Sequence, residues 1–353
     1  ELKFVFSVKI QVCTTSSCVR MSMELLKHID VKVDPCEDFY RFSCGNFLQN
    51  TNLDNRGSRS VEDIMKDEIQ SQIRNMLEQP IQQEDSGAFN LAKKFYRACM
   101  NETAIEAEGL KKIKQIFKQI GGWPTLDGNN WRKSEFDWKE AVHKLRRLGV
   151  NFDFFFSITV DRDKKNDSRY ILGIHDMPYR PSEISSEVKR MYLDYMVDIA
   201  VLFGAKKGTA IEDSNELLTL LLKLAKISEE SAALNKSVLH EKYEHNLSEL
   251  QHRYRSIPWK EYINGLLAPV ETINDDDNVI VTEPLYLKRL ETILEDSSKR
   301  SLANFIVWHT MQHLINYLPA KILDRAYEFL GKINGNDIRK PRWTTCLKAT
   351  EKR

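Results

Sequence analysis

The residue types that indicate chemistry most directly in this sequence are its thiols. The 353-residue chain contains six cysteines, five of them within the first 99 residues: Cys13, Cys18, Cys36, Cys44, Cys99 and Cys346. An even number is compatible with a disulfide framework, for which about 15 pairings exist. No Cys-x-x-Cys spacing is present, which disfavours a metal-binding role for the thiols. The cysteines therefore predict folding in an oxidising, secretory compartment.

Four Asn-x-Ser/Thr sequences indicate the same compartment. They begin at Asn101, Asn166, Asn235 and Asn246. A single triplet of this kind is weak support, because the pattern is common by chance. Together with the clustered cysteines, the four sites predict a glycosylated extracellular protein.

The sequence HEKYEH contains the first candidate pair of metal ligands. A zinc-binding His-Glu-x-x-His helix places its two histidines at i and i+4, about 40° apart around the axis. Here Glu244 occupies position i+4 from His240, and His245 follows at i+5, roughly 140° from the first ring. A solvated polar helix face is therefore favoured, with weak metal binding by His240 and Glu244 as the alternative.

His309 and His313 form a second pair, with the i, i+4 spacing that a metal site requires. Thr310 follows His309, where a metallopeptidase needs a glutamate as general base, and no third ligand is evident. Two partly buried structural histidines are favoured. The chain also lacks a Gly-x-Ser-x-Gly elbow and glycine-rich phosphate loops. Motifs alone indicate no active site.

Composition and charge limit the possible partners. Lys and Arg number 52 against 51 Asp and Glu, which gives a formal net charge of +1. This balance provides no argument for binding nucleic acid. No run of 18 apolar residues is present, so the sequence predicts no transmembrane segment. We expect residues 1–12 to be the remnant of an upstream segment.

The elements that would position these residues are mainly helical. Apolar residues recur with helical spacing in most of the chain. The expected helices are residues 22–29, 61–77, 89–100, 104–121, 186–203, 213–228, 241–254, 258–267, 283–295, 298–318 and 320–330. Residues 151–160 and 169–175 are instead rich in β-branched and aromatic residues, which predicts a β-hairpin with a long polar loop. The predicted fold class is mainly α, with a small β-hairpin insertion.

Several motifs resemble one known family. Their order along the chain is CTTSSC from Cys13, DPCEDFYRFSCGNFLQN from Asp34, SRSVEDIMKDEI from Ser58, AKKFYRACMNETAIE from Ala92, GGWP from Gly121, VIVTEPLYLKRLETIL from Val279 and RWTTC ending at Cys346. This series resembles the start of the ectodomain in the neprilysin and endothelin-converting-enzyme family of zinc metallopeptidases. The resemblance covers residues 13–346.

The resemblance implies that this chain is the multi-helical cap lobe of such an ectodomain. Residues 13–346 would be the peptidase N-terminal domain, and residues 347–353 would start the region that leads to an absent catalytic lobe. The family's zinc helix, its downstream glutamate ligand and its substrate-binding Asn-Ala motif lie beyond the RWTTC equivalent. The chain alone is therefore expected to bind no zinc and to have no peptidase activity.

The resemblance also implies which cysteines pair. Cys13 would bond to Cys18, and Cys99 to Cys346. Cys36 and Cys44 would each reach a cysteine of the catalytic lobe. Within this chain alone they could bond to each other, stay reduced or link to another chain.

Arg59 and Asp63 match approximately an arginine and an aspartate that the family places beside the substrate cleft. The segment between them is one residue short, which turns the aspartate by about 100° on a helix. A helix-start role for Arg59, Glu62 and Asp63 is the alternative.

The leading hypothesis is thus the N-terminal part of a peptidase that cleaves small extracellular peptides, either secreted or as a type II membrane ectodomain. Its expected partners are the catalytic lobe and peptide substrates. The alternative is a secreted, non-catalytic protein that binds peptides or a family peptidase. Because the inner face of a cap should expose apolar surface, a hydrophobic or disulfide-linked dimer is also expected.

Overall fold

The computed structural model describes residues 12–53, 58–163, 166–179, 184–235, 243–335 and 339–351. The chain divides into two compact units, Glu1–Gln82 and Gln83–Arg353. The described part of the first unit contains three helices: α1 (Ser16–His28), α2 (Phe39–Asn50) and α3 (Val61–Glu78).

Each helix of the first unit begins at a side-chain cap. The Thr15 hydroxyl accepts the Cys18 N–H before α1, and the Asp38 carboxylate accepts the Arg41 N–H before α2. These contacts satisfy backbone donors that have no partner inside a helix. Local sequence therefore determines where the three helices begin.

The second unit is also mainly helical. Its helices are α4 (Gly87–Met100), α5 (Glu102–Glu108), α6 (Lys111–Gln119), α7 (Pro124–Asp127), α8 (Trp138–Arg147), α9 (Ser186–Leu202), α10 (Lys207–Asn235), α11 (Leu247–Arg253), α12 (Trp259–Leu267), α13 (Pro284–Asp296), α14 (Lys299–Leu314), α15 (Ala320–Asn334) and α16 (Arg342–Glu351). Short 3-10 turns cover residues 128–130, 133–135 and 315–317. Within the described part of the chain, no helix is both long and apolar enough to cross a membrane.

A four-stranded sheet accompanies these helices, in the order β1 (Phe156–Asp163), β2 (Asn166–Asp176), β4 (Asn278–Val281) and β3 (Tyr243–Asn246). β1 and β2 form an antiparallel hairpin, β4 joins β2 in parallel, and β3 pairs with β4 in antiparallel fashion. The mainly α fold with a small hairpin is confirmed, and the hairpin is part of a larger sheet.

α14 lies at the centre of the apolar core of the second unit. All seven consecutive residues from Leu302 to Trp308 are buried, which covers every face of a helix. The Phe305 ring stacks on Phe155 at 4.9 Å between ring centroids, and the Trp308 indole nitrogen donates to the Tyr192 hydroxyl at 3.1 Å. The core therefore surrounds this helix on all sides.

A covalent bond joins the two ends of the second unit. Cys99 on α4 is bonded to Cys346 on α16 across 247 residues. Beside the disulfide, Nε and Nη2 of Arg342 donate to the Cys99 carbonyl oxygen at 3.0 and 2.7 Å. This arginine also fixes the end of α4, because it binds a carbonyl that has no intrahelical partner.

Three expected elements differ in the structure. The helix predicted over residues 104–121 is interrupted, because Gly109 adopts φ 58° and ends α5. The helix predicted from residue 241 is wrong up to Asn246, because residues 243–246 pair with β4. The long hairpin loop is wrong as well, since β1 extends to Asp163 and β2 begins at Asn166.

We expect the Cys99→Ala/Cys346→Ala variant to lose about 5 kcal/mol of unfolding free energy, because the bond closes a very long loop. The Cys13→Ala/Cys18→Ala variant is the control, since it opens a short loop worth about 2 kcal/mol. Urea unfolding followed by far-ultraviolet circular dichroism measures both effects, because both units are helical. Equal losses in the two variants would contradict the prediction.

Candidate functional site

The predicted substrate-cleft residues lie at the start of α3. The structure pairs Arg59 with Asp67, at 2.6 Å between Nη1 and Oδ2. Asp63 instead belongs to a capping box: its carboxylate accepts the Ser60 N–H at 2.9 Å, and the Ser60 hydroxyl accepts the Asp63 N–H at 3.1 Å. Arg59 and Asp63 therefore make the contacts of a helix start. A role in substrate binding stays a prediction.

The helices of the first unit leave their apolar faces exposed. Among its described residues, Leu77 is the single buried hydrophobic side chain. By contrast, 17 of the 26 exposed large hydrophobic residues in the described chain lie in this unit. On α3 alone, Met65 and Ile69 are 56% and 51% exposed. We call the exposed apolar residues of α1, α2 and α3 the apolar face. Exposed apolar patches typically mark interaction sites.

The structure places Cys36 and Cys44 in the same unit as unbonded thiols. Cys36 is exposed in the turn before α2, where its N–H donates to the Asp34 carboxylate at 2.8 Å. Cys44 is half-buried on α2 beside Gly45. A Cβ at Gly45 would lie 2.7 Å from the Asp30 Cβ, so the glycine permits close packing of α2 on the end of α1.

The other four cysteines form the pairs that the family resemblance implies. Cys13 is bonded to Cys18, and Cys99 to Cys346. Two thiols in the first unit thus remain available for bonds outside the described chain.

His309 and His313 do not converge on a common site. The His309 ring lies among aromatic rings, with centroids 4.5 Å from Phe305 and 5.5 Å from Tyr179. Its Nε2 atom is buried and has no hydrogen-bond partner. Burial lowers the pKa of His309 from 6.5 to about 4. His313 lines a different region, a surface groove. This arrangement fits the prediction that His309 and His313 are structural histidines rather than metal ligands.

The pair in HEKYEH does not form a helical site either. His240 lies outside the described residues, and Glu244 and His245 are on strand β3. Glu244 accepts a hydrogen bond from the Asn278 amide at 2.8 Å. Among the described residues, no group of three or more His, Cys, Asp or Glu side chains could hold a metal ion. The residues present therefore do not fit a zinc site, and the absence of zinc stays a prediction.

A groove of about 700 Å³ lies between the end of α14 and α16. Its polar lining includes Gln312, Asn316, Thr344, Lys340 and Lys348. No acidic residue lines it, so it presents positive charge to a ligand. Sequence reasoning did not find this groove, because its residues come from helix ends separated in the chain.

Three of the four predicted glycosylation sites have described side chains. Asn101 and Asn246 cap α5 and α11, and their Oδ1 atoms accept backbone N–H groups at 3.0 and 2.8 Å. Asn166 begins β2 and accepts the Ser168 N–H at 3.1 Å. The side chain of Asn235 is outside the described set. Glycosylation at these positions stays a prediction.

Comparisons with known proteins point to one family. The profile of peptidase family M13 matches residues 35–353. Neprilysin-2 of Drosophila melanogaster is 27% identical over 348 residues, covering 95% of this chain and 44% of the relative. Neprilysin-21 of Caenorhabditis elegans is 29% identical over 348 residues, covering 95% and 45%. The chain thus spans about half the length of the curated relatives that it matches.

A solved structure shares the fold. The crystal structure of the Mycobacterium tuberculosis zinc metalloprotease Zmp1 in complex with an inhibitor superposes with a TM-score of 0.70. The sequence identity is 17%, and the match covers 93% of this chain and 49% of that chain. At this identity the likeness shows the fold alone.

We expect the His309→Phe variant to be less sensitive to acid than the wild type. Because the folded-state pKa lies below the unfolded value, the neutral ring stabilises the fold above pH 6.5, and that stabilisation is lost as the pH falls towards 4. Between about pH 7 and pH 4.5, the unfolding free energy of the wild type should therefore fall by about 2 kcal/mol more than that of the variant. Urea titrations at the two pH values measure the difference. An equal fall in the unfolding free energy of both proteins would contradict the prediction.

Proposed function

The chain belongs to peptidase family M13, and we propose that it is the N-terminal, helical part of a metalloendopeptidase that cleaves small extracellular peptides. The observation that carries this proposal is the family match over residues 35–353. The chain covers 44% and 45% of the two relatives named neprilysin. The catalytic residues would then lie in a second lobe of a longer protein.

The apolar face supports the presence of such a lobe. α1, α2 and α3 have amphipathic or apolar surfaces but bury few of those residues within their own unit. Burial stabilises a protein by about 25 cal/mol per Å² of apolar surface removed from water. A partner lobe that covered this face would therefore stabilise the whole protein substantially. The thiols of Cys36 and Cys44 lie on the same unit and could fix the contact covalently.

The proposed location is extracellular. The bonds Cys13–Cys18 and Cys99–Cys346 require an oxidising compartment to form and persist. The sequons at Asn101 and Asn166 lie on exposed residues, where a glycan could be attached. A secreted protein and a type II membrane ectodomain would both present these residues to the same compartment.

A second candidate is a non-catalytic protein that binds peptides. The observation that favours it is the cationic groove between α14 and α16, which residues of this chain form by themselves. The two candidates differ in the sequence expected beyond Arg353. A transcript that continues into a His-Glu-x-x-His segment would eliminate the binding protein. A mature protein ending at Arg353, with Cys36 bonded to Cys44, would eliminate the peptidase.

We expect the 353-residue chain alone to bind no zinc and to cleave no peptide, because its sequence has no His-Glu-x-x-His motif. Elemental analysis by mass spectrometry measures bound zinc, and a quenched fluorescent peptide library measures cleavage. Mouse neprilysin is the positive control. Stoichiometric zinc together with cleavage by this chain would contradict the prediction.

We expect the isolated chain to self-associate through the apolar face. In a Cys36→Ser/Cys44→Ser background, the Met65→Lys/Ile69→Lys variant should be more monomeric, because it places two charges on that face. The control is Val160→Lys/Val270→Lys, which changes two hydrophobic residues of the second unit that are 63% and 81% exposed. Sedimentation velocity over a concentration series measures association. A background protein that is monomeric throughout would contradict the prediction.

A further inference from the structure

One segment of the second unit is strongly basic, although the chain as a whole is nearly neutral. Residues 111–147 contain ten Lys and Arg against four Asp and Glu, whereas the net charge of all 353 residues is +1. The ten basic residues are Lys111, Lys112, Lys114, Lys118, Arg132, Lys133, Lys139, Lys144, Arg146 and Arg147. The positive charge of the chain is therefore concentrated on α6, α8 and the turns between them.

Local contacts occupy the few acidic groups of this segment. Glu135 pairs with Arg132 at 2.9 Å, and Asp137 pairs with Lys139 at 3.0 Å. The Asp127 carboxylate accepts the Trp123 N–H at 2.9 Å. The remaining acid, Glu140, is oriented towards His143.

The three lysines that matter most lie outside these pairs. Among the described residues, Lys114, Lys118 and Lys144 have no acidic partner. Their charges are available to a ligand.

These lysines line a cleft of about 790 Å³, which we call the basic cleft and which Arg132, Asp127 and Glu135 also line. Lys114 and Lys118 lie one turn apart on α6, and Lys144 is on α8. On one helix, residues at i and i+4 have Cβ atoms about 6 Å apart. The cleft therefore presents a row of cations from two helices rather than a single anion pocket.

The Trp131 ring also lines the basic cleft, and its orientation is fixed. The Trp131 indole nitrogen donates to the Gly121 carbonyl at 2.9 Å, which sets the orientation of the ring. A Cβ at Gly122 would lie 2.7 Å from the Asp127 carboxylate and 3.2 Å from the Trp131 ring. Glycine is thus needed for the ring to pack this close. Trp131 remains partly exposed, and its flat apolar face could contact a sugar ring.

We propose that the basic cleft binds a linear sulfated polysaccharide. A chain of regularly spaced sulfate groups matches cations arranged along two helices, because each sulfate can pair with one lysine. The disulfides place this surface in an oxidising compartment. There, sulfated polysaccharides are the polyanions of the extracellular matrix.

The structure disfavours a membrane surface as the ligand. A basic helix that binds a bilayer inserts its apolar face. On α6 the apolar residues Ile113 and Phe117 are 3% and 1% exposed and belong to the core. No apolar face of α6 is left for insertion. The proposal does not depend on peptidase activity.

The test compares two triple variants of the 353-residue chain expressed with its disulfides. Lys114→Gln/Lys118→Gln/Lys144→Gln removes three charges from the basic cleft. Lys223→Gln/Lys226→Gln/Lys321→Gln removes three exposed charges from α10 and α15. Glutamine has a helix propensity close to that of lysine, and circular dichroism checks that both variants fold.

Binding of a heparin dodecasaccharide is measured by titration calorimetry in physiological salt. We expect the cleft variant to bind about 100-fold more weakly, since removing one cation near an anionic surface weakens binding about fivefold. The control variant should stay within about threefold of the wild type, and raising the salt concentration should weaken wild-type binding steeply.

Three results would overturn the proposal. The first is no heparin binding by the wild type. The second is equal weakening in both triple variants, which would indicate diffuse charge attraction. The third is cleft-dependent binding of chemically desulfated heparin, phosphatidylserine vesicles or single-stranded DNA as tight as that of heparin.

Discussion

The burial of α14 on all its faces is the constraint on which the second unit depends. A helix that is apolar all round is stable only inside a core. The aromatic residues of α8, α9 and α12 and the sheet supply that core around Phe305 and Trp308. Specific polar contacts fix the register of the helix: the Asn304 amide oxygen accepts the backbone N–H and the hydroxyl of Thr125 at 3.2 and 2.9 Å. A bidentate pair between Arg300 and Asp213 anchors its N-terminal turn.

The first unit has the opposite character. Its helices are well capped, yet they bury almost no apolar side chain among themselves. Isolated helices of this length are marginal in water, because most helical stability in proteins comes from packing an amphipathic face. We therefore expect the unit to depend on another surface for much of its stability. The chain spans about half the length of the curated relatives that it matches, and a second lobe is the surface that we propose.

Much of the fold could be predicted from sequence where the pattern is local. α3 and α9 begin at the residues that the apolar spacing indicated, and the hairpin appears where β-branched and aromatic residues cluster. The sequence did not predict β3 and β4. These short strands exist because they pair with each other and with β2, which is a long-range contact. α8 was also missed, although Trp138, Ala141, Val142 and Leu145 have helical spacing; the helix is only ten residues long.

The candidate sites likewise differ in whether the sequence or only the fold could reveal them. The disulfide partners were predicted from the family resemblance. The spacing of the cysteines alone could not identify them, because the bond between Cys99 and Cys346 is a long-range contact. The pairing of Arg59 with Asp67, one turn beyond Asp63, required the three-dimensional helix start. The basic cleft also needed the fold, because Lys118 and Lys144 meet only when α6 and α8 pack on one core.

Hydrogen–deuterium exchange on the 353-residue chain, diluted until it is monomeric, distinguishes a second unit that has its own core from helices α1, α2 and α3 that rely on another surface. We expect slow exchange of the α14 amides, limited by global unfolding, and rapid exchange throughout the three helices of the first unit. Protection of α1, α2 and α3 equal to that of α14 in the monomer would contradict this expectation.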